Sequence, residues 1–148
     1  MADDPPSTGS WAHFDHAADM GIRAVGETLA DVLVQTALGM TAVVTDQPVR
    51  AERAIDIRCQ APDAELLLVD WLNAIIFEMA TRRMLFGRFD VRVQPLAEGF
   101  ALEARAWGEP VERSRHQPAV ELKGATYTAL DVHQEVDGGW VAHCVVDV

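Results

Sequence analysis

The sequence predicts an α+β fold in which two helices pack against, or between, layers of a mainly antiparallel β-sheet. Three observations predict it. Two long segments carry apolar residues at helical spacing, several others alternate with a period of two, and the turns between the alternating segments are short. The order reads strand, strand, helix, strand, helix and then at least four strands. There is no internal repeat and no linker long enough to divide the chain. At 148 residues, 49% of them apolar, one core forms without disulfide or metal staples. Residues 11–148 are therefore read as one domain behind a tail, residues 1–10, whose acidic, proline-rich MADDPPSTGS predicts disorder.

The elements follow in order. WAHFDH and GIRAVG read as short strands flanking an AADM turn. Thr28 is placed as an N-cap, with Asp31 three residues on completing a capping box. Leu29, Val32, Leu33, Ala37, Met40 and Val44 then give a helix one apolar face, and Pro48 prevents its continuation. From Ala54 to Gln60, Ile55, Ile57 and Cys59 oppose Asp56, Arg58 and Gln60, a strand with one wet side. Asp63 caps a second helix running to about Arg83, apolar nearly all round and so expected between layers. Phe89, Val91 and Val93, then Phe100, Leu102, Ala104 and Ala106, form a hairpin about Glu98-Gly99. Gly108 to about Pro118 reads as a loop, Val120 to Val136 as strand-like, and Asp137-Gly138-Gly139 as a hairpin turn before a last strand from Trp140.

Acidic residues exceed basic ones, 23 to 12, for a net charge of −11. That average field repels phosphate, so stable direct binding of nucleic acid is not expected without a local basic patch; cations or a basic protein partner are the natural complement, and solubility alone is the plain alternative. Cys59 and Cys144 form no CxxC and read as buried hydrophobes, without zinc or disulfide. The chain opens without an apolar h-region. Its most apolar stretch, Leu66 to Ala80, is interrupted by Asp70, Asn73 and Glu78 and falls short of the roughly 20 residues a bilayer needs. A cytoplasmic protein with no membrane partner is expected. No GxGxxG, P-loop or GxSxG context is present.

Two segments carry possible chemistry: the polar turn Asp15-His16-Ala17-Ala18-Asp19-Met20-Gly21, and the terminus Val145-Val146-Asp147-Val148 with its main-chain carboxylate. If folding brings Asp19 beside Asp147 and that carboxylate, three negative groups share a pocket. They coexist only around a cation or with raised pKa values. Oxygen donors favour a hard divalent ion, Ca²⁺ first, with Mg²⁺ or Mn²⁺ as alternatives, and His16 would tilt the choice towards a transition metal. Against this stands the plain reading, in which a turn Asp caps a neighbouring N–H and a terminal Asp is solvated. His13, His133 and His143 read as solvated or core-edge residues, and Asp70 and Asn73 as partners in helix–helix or helix–loop hydrogen bonds. Arg113, Arg115, His116 and Lys123 crowd into a small basic patch, either a solvated loop or a docking surface.

HFDHAADMGIRAVGETLADVLVQTALGM resembles the N-terminus of the archease family, with its H-x-A-D-x-G-I turn and following helix. GEP, then RSRHQPAVELKGATYTAL, is similar to that family's G-E-P … H … E-[IV]-K-A-x-T-Y run, and the chain closes on a Trp-bearing strand with Asp and one aliphatic residue. The resemblance spans Trp11 to Val148. It implies an archease-like fold and a non-catalytic protein that activates an RtcB-type RNA ligase, promoting its guanylylation and multiple turnover in tRNA splicing or RNA repair. That ligase joins a 3′-phosphate or 2′,3′-cyclic phosphate to a 5′-hydroxyl. It further implies a metal site of Asp19, Asp147 and the Val148 carboxylate, with Lys123, and more weakly His116, touching the ligase. Thr128 stands where many members carry His, and Gly124 where Ala is usual. Two other classes compete: a chaperone-like interaction module for nucleic-acid-processing enzymes, and a lone metal-dependent phosphatase or nuclease, which the sparse carboxylates and absent nucleophile disfavour.

Overall fold

The computed structural model describes residues 8–148, so most of the segment read as a disordered tail lies outside the described residues; Ser10, assigned to that tail, begins the first strand. β1 (Ser10–His16) and β2 (Asp19–Gly26) form a hairpin closed by the pair His16–Asp19. Its loop is only Ala17-Ala18, and Ala17 takes φ 52°, the left-handed sign a two-residue turn demands and glycine usually supplies. α1 (Leu29–Val44) starts on the full capping box: Thr28 Oγ1 accepts from Asp31 N at 3.0 Å and Asp31 Oδ2 accepts from Thr28 N at 3.2 Å. Thr28→Ala is expected to cost about 1 kcal/mol, read as a lower urea midpoint at unchanged slope.

β3 (Arg53–Ala61) keeps the alternation read from the sequence, with Ile55, Ile57 and Ala61 buried. α2 (Ala64–Arg82) is capped by Asp63, whose side chain accepts from Leu66 N at 2.8 Å, and ends on Arg83 in the left-handed region. β4 (Met84–Pro95) and β5 (Phe100–Pro110) pair along their length about a turn where Gly99 has φ 100°. A short α3 (Arg113–His116) follows, then β6 (Gly124–Ala125), β7 (Asp131–Gln134) and β8 (Trp140–Asp147).

The strands form two antiparallel sheets. One runs β1-β2-β8-β6 with β7 also on β8; the other runs β3-β5-β4. α1 and α2 each touch strands of both sheets, so these two helices form the middle layer. Trp71 of α2 is fully buried there, its indole N–H donating to Leu33 O at 3.0 Å and its ring meeting Phe89 edge-on. α2 is buried round most of its circumference, as its composition predicts, but Asp70, Asn73 and Phe77 form an exposed stripe. Among the described residues no helix is long and apolar enough to cross a membrane.

Two expectations need correction. Gly108 to Pro118 is not one loop: β5 runs on through Gly108-Glu109-Pro110 and α3 follows. Gly108 packs so closely on Leu85 O that an added Cβ would lie 1.9 Å from it, so the glycine that suggests a turn instead permits close strand pairing. Nor is Val120 to Val136 one strand. It is broken between β6 and β7 by a turn in which Leu130 N donates to Tyr127 O at 3.3 Å and Ala129 has φ 53°.

Candidate metal centre

β2 and β8 bring the two ends of the domain together. Met20 pairs with Val146 as the last pair of β2 with β8; Asp19 and Asp147 are the next residues outward, and the same register carried one step further would set them opposite each other. His16 pairs with Asp19 on one side and Gly124 with Asp147 on the other, so one step beyond the last β2–β8 pair the same register would put His16, Asp19, Asp147 and Gly124 in one row. Residues directly opposite in such a row share a face, with Cβ atoms roughly 4.5–5.5 Å apart. Asp19, Asp147 and Val148 are all half-buried, and Val148 packs against the core. The next row on that face is apolar: Phe14, Gly21 and Val145. A Cβ on Gly21 would stand 2.2 Å from the Phe14 ring, which accounts for a glycine two residues after Asp19. His143 meets that ring edge-on at 6.1 Å between centroids, a contact sequence reasoning missed.

Two carboxylates facing each other across a strand pair repel unless a cation or proton lies between them, and hard oxygen donors suit a divalent ion. The donor chemistry of Asp19 and Asp147 therefore fits such an ion. Among the described residues no three His, Cys, Asp or Glu side chains group for metal ligation, so His16 does not close a set with the two aspartates. A third donor would have to come from the main chain.

Lys123, the only lysine in the chain, reaches this end of the sheet through its backbone: its N–H donates to Asp147 O at 2.9 Å. Its side chain is exposed and unpaired among the described residues. His116 lies elsewhere. It is fully buried, so its side chain is not on any docking surface, and the basic patch dissolves with it. Its Nδ1 accepts from Glu112 N at 2.9 Å, which places the proton on Nε2, 3.0 Å from Glu109 Oε2. Arg115 grips both oxygens of the same carboxylate, and Arg50 N donates to it at 2.7 Å. Sequence reasoning missed Glu109; the only signal was an acidic residue that resumes the strand period beyond Trp107.

The remaining groups have structural partners. His13 Nε2 lies 2.8 Å from Gly39 O, and Asn73 Oδ1 accepts from Ala125 N at 2.9 Å, a helix–strand bond where the sequence predicts a helix–helix or helix–loop one. His133 sits between Asp131 and Glu135, whose carboxylates raise its pKa. Cys59 and Cys144 are free thiols; burial pushes them up to about 11 and about 12.

Two helices held between two antiparallel sheets make this a small acidic α+β domain. Residues 11–148 match the Archease protein family, and the chain belongs to it. It is 30% identical over 139 residues to the Protein archease of Pyrococcus furiosus, covering 93% of this chain and 98% of the relative. Identity to the Methanopyrus kandleri Protein archease is 36%, covering 93% and 99%. The solution structure of Methanobacterium thermoautotrophicum protein 1598 superposes with a TM-score of 0.82 at 30% identity, covering 94% of this chain and 99% of that one.

Proposed function

We propose that this chain is a non-catalytic, metal-binding activator of an RtcB-type RNA ligase, promoting its guanylylation and repeated turnover in tRNA splicing or RNA repair. The observation that supports the reading is that Asp19 and Asp147 stand one step beyond Met20–Val146, the last pair of β2 with β8, with Lys123 N bonded to Asp147 O. Asp19, Asp147 and the main-chain carboxylate of Val148 would hold the ion, Ca²⁺ first and Mg²⁺ or Mn²⁺ as alternatives. A divalent ion there supplies the positive charge that lets three carboxylates share one sheet edge. Lys123 extends from the same edge to an acidic group on the ligase, while the acidic surface steers encounter with a basic RNA-binding cleft. Chemistry stays with the ligase.

The test is ligase turnover on RNA bearing a 3′-phosphate and a 5′-hydroxyl, with and without this chain, across a manganese series. More product per ligase molecule supports the proposal, most visibly where manganese is scarce. Turnover unchanged at every concentration rejects it.

A further inference from the structure

A groove and two hydrogen bonds fix how the segment after α3 lies on α2. Pro118 to Leu122 face Ile76, Met79 and Arg83 across a groove of about 700 Å³. Ala125 N bonds Asn73 Oδ1 at 2.9 Å, and Val132 N bonds Glu65 Oε2 at 2.9 Å. The segment therefore runs antiparallel to the helix, and Lys123 comes level with the turn that carries Phe77. Phe77 lies four residues beyond Asn73, on the same helix face, about 6 Å further along the axis. Phe77 is 62% and Tyr127 70% exposed, and among the described residues only Trp11 and Val136 join them as exposed large hydrophobic side chains. The two exposed rings thus belong to the two elements that meet at this seam, Phe77 to α2 and Tyr127 to the chain two residues past β6, whose Gly124 pairs with Asp147.

We infer that Phe77 and Tyr127 are the apolar anchors of a protein-docking surface centred on Lys123 and the Asp19–Asp147 edge. The inference rests on the proposed function and names the contact surface of that same site. The occupant fitting it is a protein that offers an apolar pocket on each side of a cleft whose cations meet the aspartates and whose acidic group meets Lys123. Aromatic anchors around a charged centre are the usual composition of an energetic hot spot. Charge selects protein over RNA as the occupant: the chain's single lysine is bonded through its backbone to Asp147, and the chain's net charge is −11.

The experiment measures affinity of the full chain for the immobilised RtcB-type ligase, with Phe77→Ala, Tyr127→Ala and the pair. Each single change should weaken binding by about tenfold, and the pair by about a hundredfold. Calorimetric affinity for Ca²⁺ or Mn²⁺ alone and the thermal midpoint should stay at wild-type values. Phe77→Leu should retain most of the affinity, and Val136→Ser, on the β7–β8 turn, should change nothing. Wild-type affinity in the pair variant, alongside loss in Asp19→Asn, overturns the docking surface and leaves the proposed function standing. An unmodified chain that does not bind the ligase sinks both. Loss of binding to RNA alone, with ligase affinity intact, assigns the rings to base stacking and likewise overturns the inference.

Discussion

Glu109→Ala is expected to remove about 2–4 kcal/mol of folding stability, seen as a lower urea midpoint with an unchanged slope. Glu109 is 1% exposed, and its two oxygens hold Arg115, His116 and the Arg50 amide together. Removing the carboxylate leaves the His116 Nε2–H buried with no acceptor and opens a cavity beside it. Arg115 is 27% exposed and can turn to water, which keeps the loss below that of a fully sealed ion pair. The knot also ties down distant chain, since Thr45 at the end of α1 donates to His116 O and Ala119 N donates to Val44 O at 2.8 Å. The variant should therefore loosen the strap that leads to Lys123 as well as lower global stability.

The same group sets an acid limit. Hydrogen bonds from Arg115, with the Arg50 amide and His116 adding to them, hold the Glu109 carboxyl well below the usual carboxylate range against the opposing pull of burial. A carboxyl depressed in the folded state contributes its full stabilisation above the unfolded value, near pH 4.3, and loses it as pH falls towards the folded value. The stability gap between wild type and Glu109→Ala should thus be widest at neutral pH and narrow below about pH 4. A gap independent of pH between 7 and 3 would mean that packing, and not charge, explains the loss.

What could be read from residues alone divides along one physical line. The α1 capping box, the Asp63 cap, the period-two pattern of β3 and the Asp137-Gly138-Gly139 turn are local, each decided within a few residues, and each stands as read. The candidate site is not local. Asp19 and Asp147 could be named as acidic residues at two ends, but that they end neighbouring strands depends on β2 choosing β8 in one register. Burial of charge hides in the same way. Glu109, Arg115 and His116 look like a solvated loop until each is seen to satisfy the others. Phe77 was concealed by the opposite error: in a helix apolar nearly all round, nothing in the composition marks which ring is left outside.

Asp19→Asn should abolish stimulation of the ligase and, without metal, leave the domain slightly more stable than wild type. Opposed like charges on adjacent strands destabilise by up to about 1 kcal/mol, and the amide removes that repulsion while keeping the side chain's size. With a saturating divalent ion the order should invert, because wild type gains stability by linkage, about 2.7 kcal/mol at a hundredfold excess over Kd, and the variant gains little. Thermal midpoints of the two proteins, with and without Ca²⁺ or Mn²⁺, should therefore cross. A short extension after Val148 makes a second break in the same site. It removes the terminal carboxylate but leaves both aspartates in place, so it should cost metal affinity without relieving any repulsion between them. Parallel midpoints in Asp19→Asn and wild type under both conditions would mean that the aspartate pair holds no ion, whatever the variant does to ligation.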